Sequence, residues 1–434
     1  MFGDFMMGAR SRLLPASVPF RFFATAVVLH AAAWATLLWA GDAVPGFIGG
    51  GGPALAALHL ITLGVLAMVA MGAAYQLLPV ATKRPVRSVT ACKVSHGLMA
   101  PGVVLLSFGF ATMQTWALHG GMALTVLGVG VFAVLIADNL RRVTDLPLVT
   151  GHAWLAVVSL VAVLVLGALL ATDFGAGFLT DRPALAAAHA VAGGFGFMGM
   201  LAVGFSYVLV PMFALAQLPR KPYGLWALWL SAAALASGFA GALSGIAVLD
   251  GLGITAGLAA AGLYLEMMRL TLKSRMRRGL GLSFVLVRAA WVGLPLSLVA
   301  AAVVATGWRL DITAPLFGFL LIYGWLLTFL MGVLQRIMPF LASMHSFRPG
   351  GKPVLVSALT ADLPLKIHAA CHFAALLLVA AGIVSEIGWL VRLGALAGLV
   401  GALSFAAFAF SLRQRLIAHL LSFPPVSATE LRSP

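Results

Sequence analysis

Twelve long runs of apolar residues divide this chain from one end to the other. A helix needs about 20 mainly apolar residues to cross a bilayer. Runs of that length fall at roughly 19–40, 54–80, 91–113, 117–138, 151–172, 184–215, 224–248, 252–272, 284–306, 313–340, 365–385 and 390–412. Only 9% of the 434 residues are charged and 62% are hydrophobic, which is too little charge for a soluble protein. The sequence therefore predicts an all-α integral membrane protein whose surroundings are the lipid bilayer.

The positions of the basic residues predict the orientation of these spans. With the N-terminus inside, 24 of the 27 Lys and Arg residues fall on the cytoplasmic side, and the outer loops hold only Arg182, Arg309 and Arg392. Because basic residues resist translocation, this distribution predicts that both termini are cytoplasmic. We expect a multi-pass protein of a bacterial inner (plasma) membrane. The net charge of +15 is explained by this topology, so nucleic acid is not an expected partner.

A glycine followed by a proline seven residues later recurs in three spans. The pairs are Gly72 and Pro79, Gly204 and Pro211, and Gly332 and Pro339, so the copies are 132 and 128 residues apart. That period equals about four helices, and an even number of helices per copy makes the copies parallel. We predict one transmembrane domain, 1–434, with three pseudo-symmetric four-helix repeats at about 15–145, 146–280 and 281–416, followed by a cytoplasmic tail at 417–434.

Polar residues close to these pairs are expected at the edge of the membrane. The prolines are expected to end their helices there. Tyr75, Tyr207 and Gln335 each follow a repeat glycine by three residues, and we interpret them as interfacial anchors.

Two histidines within the spans are candidate ligands. His59, in ALHLITLGVLAMVAMG, and His189, in AAAHAVAGGFGFMG, lie in the outer third of the second and sixth spans. Ionisable groups in a bilayer are rare and usually functional. Imidazole binds iron and copper, and the small residues that follow leave room for a flat ligand such as haem. The alternative is a buried histidine that bonds a backbone carbonyl.

A second candidate site lies further along the chain. His368 and His372 are four residues apart, so they share a helical face and could hold a metal together. The alternative is that both are polar residues at the membrane–water boundary. Arg336 is a candidate partner for a haem propionate or another anion. Methionines such as Met198 are either ligands or core-packing residues.

The arrangement of twelve spans in three parallel arcs, with His59 and His189 in the second and sixth, resembles subunit I of the haem-copper oxidases and nitric oxide reductases, and the NnrS-type membrane proteins. The resemblance implies haem and copper as cofactors, with His59 as a haem ligand and His189 as a copper ligand. The seventh span, GLWALWLSAAALASGFAGALSG, lacks the family's paired histidines, and the tenth lacks its two haem ligands. The NnrS-type His-x-His-Glu-Met segment is also missing from the second span.

The resemblance and these departures together favour a haem- or copper-binding protein over a functional terminal oxidase. Its expected role is redox chemistry or the handling of nitric-oxide or metal-cofactor stress. A permease or exporter of a small neutral or anionic solute is the alternative, indicated by the basic cytoplasmic rim. A third possibility is docking to other respiratory membrane proteins. Of the twelve acidic residues, only Asp138 and Glu266 fall within the predicted spans, which disfavours cation-coupled transport.

Overall fold

The computed structural model describes residues 13–143, 145–219, 222–347 and 353–422. Twelve of its helices are long and apolar enough to cross a membrane, which confirms the predicted spans and an all-α, multi-pass membrane protein. They are α1 (Ser17–Ala43), α2 (Pro53–Thr82), α3 (Val89–Thr112), α4 (Thr115–Leu140), α5 (Pro147–Ala176), α6 (Arg182–Ala214), α7 (Tyr223–Ser244), α8 (Ala247–Lys273), α9 (Gly281–Ala305), α10 (Leu310–His345), α11 (Asp362–Val384) and α12 (Gly388–Leu421).

Some features predicted from the sequence lie outside the described residues. They are the basic residues Arg10, Arg12, Arg220, Lys221, Arg348 and Lys352, and residues 423–434 of the expected tail.

Most helices are longer than the apolar runs that predict them. The prediction that the repeat prolines end their helices is wrong, because α2, α6 and α10 continue beyond them to Thr82, Ala214 and His345. A proline close to a helix end disrupts few backbone hydrogen bonds, so the helix can continue. The longer helices also include Asp173 and Asp250, so the two predicted acidic residues are not the only ones within the spans. Helix α12 reaches Leu421, inside the segment expected to be a tail.

Helices α2, α6 and α10 form the inner part of the bundle. In their most apolar stretches 72%, 67% and 67% of the residues are buried, against 50% or less in the other nine described spans. They converge on a narrow apolar gap of about 50 Å³. Around them, α3 packs on α4, α7 on α8 and α11 on α12, while α1 meets α12, α4 meets α5 and α8 meets α9. Three inner helices are therefore surrounded by nine outer ones.

Each inner helix contains a π-helical segment near its N-terminal half. The segments are Leu60–Ala67 in α2, Val191–Gly199 in α6 and Leu320–Leu327 in α10. A π-helical turn holds one more residue than an α-helical turn and often lies beside a functional site. The first segment begins directly after His59, and the second begins two residues after His189.

Candidate functional site

A cavity of about 220 Å³ lies between α2 and α6, and both His59 and His189 line it. Each histidine is six or seven residues from the start of its helix, which is about 9–10 Å along a helix axis. The two side chains therefore lie at a similar depth. Helices α3, α4, α5 and α10 complete a wall of mainly apolar side chains. The structure thus brings the two principal candidate ligands to one space.

The hydrogen bond of His59 determines which of its nitrogens is available. Its Nδ1 donates to the carbonyl of Leu55 at 3.0 Å, so the Nε2 of the neutral ring carries a lone pair. Phe110 packs on the ring with a centroid distance of 4.6 Å. Metal-ligating histidines commonly donate their other N–H to a carbonyl, which fixes the ring orientation. His59 has this arrangement.

His189 faces the cavity from α6. Its Nδ1 is buried and has no hydrogen-bond partner among the described residues. Gly167 of α5 lies against the ring, since a Cβ at that position would be 3.1 Å from His189 Cε1. Met198 lines the same cavity and supplies a thioether. Met122 of α4 also lines the cavity, so two imidazoles and two thioether sulfur atoms border this space.

An ion pair lies near the C-terminal end of α5, and only the charges of its two members indicated it in the sequence. Arg182 donates to Asp173 Oδ2 at 2.6 Å, and the backbone N–H of Leu179 donates to Asp173 Oδ1 at 2.7 Å. The guanidinium also lies 3.9 Å from the ring centroid of Phe174. Phe174 in turn packs against Phe110, with a centroid distance of 5.8 Å. The pair is thus linked through two aromatic rings to His59.

Arg336 is not close to this cavity. It lies 26 residues after Leu310, the first residue of α10, which is about 39 Å along the helix. Its guanidinium donates to the carbonyl of Leu280. Helices α2 and α10 run in the same direction if all twelve spans cross the membrane, so Arg336 lies towards the opposite membrane face from His59. A ligand at His59 would not reach it.

His368 and His372 are buried within the helix bundle. They are 1% and 2% exposed, and their ring centroids are 5.8 Å apart. The structure adds a third buried imidazole, His30 of α1, with its centroid 6.1 Å from that of His368. The sequence reasoning did not single out His30, although a histidine in the middle of an apolar span was a usable signal.

The expected interfacial anchors are also buried, so that interpretation is wrong. Tyr75, Tyr207 and Gln335 are 0%, 4% and 4% exposed. The Tyr75 hydroxyl is hydrogen-bonded to Ser95 at 2.9 Å. The distance of a residue from the helix end did not predict its exposure, because the inner helices are surrounded by protein along most of their length.

Within the described part of the chain, no group of three or more His, Cys, Asp or Glu side chains is arranged to hold a metal ion. Any metal site built from these residues has at most two such ligands, with other donors completing it. Fold and cavity together define the class: an all-α, multi-pass membrane protein with a histidine-lined internal cavity. Comparison of the chain with protein-family models and with curated proteins gives no match.

Proposed function

We propose that this protein binds copper or haem within the membrane, in the cavity bordered by His59 and His189, and serves in redox chemistry or in nitric-oxide or metal-cofactor stress handling. The observation that carries the proposal is the convergence of these two histidines, from separate helices, on one cavity. A bound copper or haem iron supplies one-electron chemistry and a coordination position for small ligands.

The donor groups fit a metal ion well. His59 Nε2 carries a lone pair because the proton of the neutral ring is on Nδ1, which donates to the carbonyl of Leu55. His189 has an unpartnered buried nitrogen, and Met198 adds a soft donor. Imidazole and thioether together suit copper. The role of this chain is to orient these donors and to exclude water with its apolar wall.

The size of the cavity favours copper over a whole porphyrin. Small-molecule pockets usually have volumes of about 300–1,000 Å³, and this one is about 220 Å³. A copper ion is small enough for this volume. Haem requires the lining helices to move apart. The glycines that line the cavity are Gly167, Gly193, Gly194 and Gly318.

The finer architecture is part of the same proposal. We propose three parallel four-helix repeats with both ends on the cytoplasmic side of a bacterial inner membrane, related to the haem-copper oxidase and NnrS-type proteins. The similarly placed π-helical segments of the three inner helices support the repeat. No histidine lines a second cavity of about 280 Å³ between α6 and α10, among the residues described, so terminal oxidase activity is not proposed. Other respiratory membrane proteins are the expected partners.

The test is an absorption spectrum and an elemental analysis of the purified protein. We expect the cavity to hold about one equivalent of copper per chain, or one haem with a Soret band and one equivalent of iron. His59→Ala and His189→Ala are expected to lose most of that equivalent, whereas any metal bound elsewhere in the chain is retained. His152→Ala is the matched control, because His152 is also a buried histidine whose Nδ1 donates to a carbonyl but it does not line the cavity. Protein from metal- and haem-replete cells that carries neither copper nor haem contradicts the proposal.

The second cavity favours one alternative function. Its wall consists mainly of alanine, glycine and aliphatic residues of α6–α10, with Ser231, Asp250 and Tyr264 as polar groups. Such a space suits a small neutral solute and therefore a permease or exporter. Solute uptake into proteoliposomes by metal-free protein supports this function; uptake that requires His59 supports the metal-binding proposal instead.

A further inference from the structure

A second group of imidazoles lies apart from the cavity, in the packed interface of α1, α11 and α12. His30, His368 and His372 are each 2% exposed or less. The centroid of the His368 ring is 6.1 Å from that of His30 and 5.8 Å from that of His372. Polar groups without partners are costly in an apolar interior and more so within a membrane. Here the unused nitrogens belong to neighbouring rings, so that a single ligand could satisfy both.

Hydrogen bonds identify the unused nitrogens. His368 Nδ1 donates to the carbonyl of Gly401 at 3.1 Å, so its Nε2 carries a lone pair. The indole of Trp34 donates to His30 Nε2 at 3.0 Å, so the neutral His30 ring carries its proton on Nδ1. Both His30 Nδ1 and His368 Nε2 are buried and have no partner among the described residues.

His372 holds its neighbour in place. Its Nε2 is 2.8 Å from Thr328 Oγ1, and that hydroxyl donates to the carbonyl of Tyr323 at 2.7 Å. The Thr328 oxygen therefore accepts a hydrogen bond from the Nε2–H of His372. The His372 ring stacks at 30° to that of His368, so we regard His372 as a positioning residue.

We propose that His30 Nδ1 and His368 Nε2 together bind one Cu(I) ion. Two imidazoles that hold an ion from opposite sides, with N–metal bonds of about 2 Å, have centroids roughly 6 Å apart, which agrees with the observed 6.1 Å. A monovalent ion costs far less to bury than a divalent one. Cu(I) is a d¹⁰ ion that accepts two nearly collinear ligands, and imidazole is among the ligands that suit copper.

Binding changes the protonation of His30. The proton on Nδ1 moves to Nε2, and Trp34 gives up its hydrogen bond to that nitrogen. Trp34→Phe keeps an aromatic ring at this position but removes the competing N–H. We therefore expect Trp34→Phe to bind Cu(I) more tightly, by about threefold to tenfold, which corresponds to the loss of a hydrogen bond of about 1 kcal/mol.

The experiment uses full-length protein with His59→Ala and His189→Ala, so that the cavity of the proposed function does not contribute. Cu(I) is titrated under reducing conditions against a coloured Cu(I) chelator, and Ag(I) serves as a redox-inert probe. We expect one ion per chain, with affinity at least tenfold weaker in His30→Ala and His368→Ala. His152→Ala is again the matched control, because it removes a buried histidine with an unpartnered Nε2 and is expected to leave binding unchanged.

X-ray absorption at the copper edge tests the proposal without a substitution of either proposed ligand. The proposal expects two nitrogen ligands in the Cu(I)-loaded protein. Sulfur or four-coordinate copper overturns it, and so does the absence of Cu(I) binding. Normal binding by His30→Ala also overturns it. Absence of copper from the cavity of His59 and His189 contradicts only the proposed function, whereas absence of Cu(I) binding in the double variant contradicts only the site at His30 and His368. The two proposals can therefore fail separately.

Discussion

At the scale of single residues, a histidine in a membrane span can bond a backbone carbonyl and still be a ligand. His59 does the first through Nδ1 and presents Nε2 for the second. These roles were alternatives in the sequence, but the structure makes them compatible, because a carbonyl at one nitrogen orients the other. Whether a histidine in a membrane span can bind a metal therefore depends on the ring nitrogen that is not bonded to the backbone carbonyl.

Gly167 is expected to control the position of His189. In Gly167→Ala the new Cβ would lie 3.1 Å from His189 Cε1, so the ring must shift by a few tenths of an ångström. We expect at least a threefold loss of bound copper or haem, measured by elemental analysis and absorption. Gly130→Ala adds a methyl group with nothing within 4 Å and is expected to bind normally. Equal binding by both variants would show that Gly167 does not position this ring.

The sequence indicated His59 and His189 because each is polar within an apolar run. The sequence did not show that Arg336 is remote from them. The position of a residue across the bundle depends on its distance from the first residue of its helix, and the structure was needed to give that residue. It also missed the pairing of His30 with His368, because α1 and α11 are distant in the sequence and only packing brings them together.

At the scale of the helices, length and hydrophobicity were sufficient to find all twelve spans, since crossing a bilayer imposes both. The π-helical segments were not predictable, because a widened turn has no residue preference comparable to that of a proline or a cap. The same is true of helix continuation through Pro79, Pro211 and Pro339, which depends on the surrounding protein.

The π-helical segment of α2 is expected to tolerate a deletion. Removing Thr62 converts the wide turn to an α-helical one, so His59 keeps its direction. Removing Leu77 from the α-helical part instead rotates one side of the helix by about 100° relative to the other. We expect the first deletion to retain folding and metal binding and the second to lose both, as measured by size-exclusion chromatography and metal content. Similar losses in both variants would contradict this role for the segment.

Close backbone contact holds the α3–α4 hairpin together. A Cβ at Gly121 would lie 2.2 Å from the backbone nitrogen of Leu106, and small residues allow such approach in membranes. Gly121→Ala is expected to destabilise the protein by about 1–3 kcal/mol through overpacking. Thermal unfolding in detergent measures this, with Gly130→Ala of the same helix as the control. An unchanged melting temperature for Gly121→Ala contradicts the contact.

At the scale of the whole molecule, three inner helices are enclosed by nine outer ones. One cavity is lined by His59 and His189, and a second is lined mainly by apolar side chains together with Asp250. A third region, where α1 meets α11, contains the packed rings of His30, His368 and His372. The two proposed metal sites therefore lie in separate regions of the bundle.

The proposed orientation predicts which loops an impermeant thiol reagent can reach. Cys92 and Cys371 are first replaced by serine, and single cysteines are placed at Thr180, between α5 and α6, and at Gly279, between α8 and α9. Both positions are exposed. Intact cells should label Thr180→Cys only, whereas lysed cells should label both. The reverse pattern in intact cells would contradict cytoplasmic ends.

The most direct test of the central claim is an experimental density map of the metal-loaded protein in lipid, with anomalous scattering recorded at the copper and iron edges. Our account predicts an anomalous peak within bonding distance of His59 Nε2 and the His189 ring. A cavity that contains only lipid or water, with the metal bound elsewhere or absent, would contradict it.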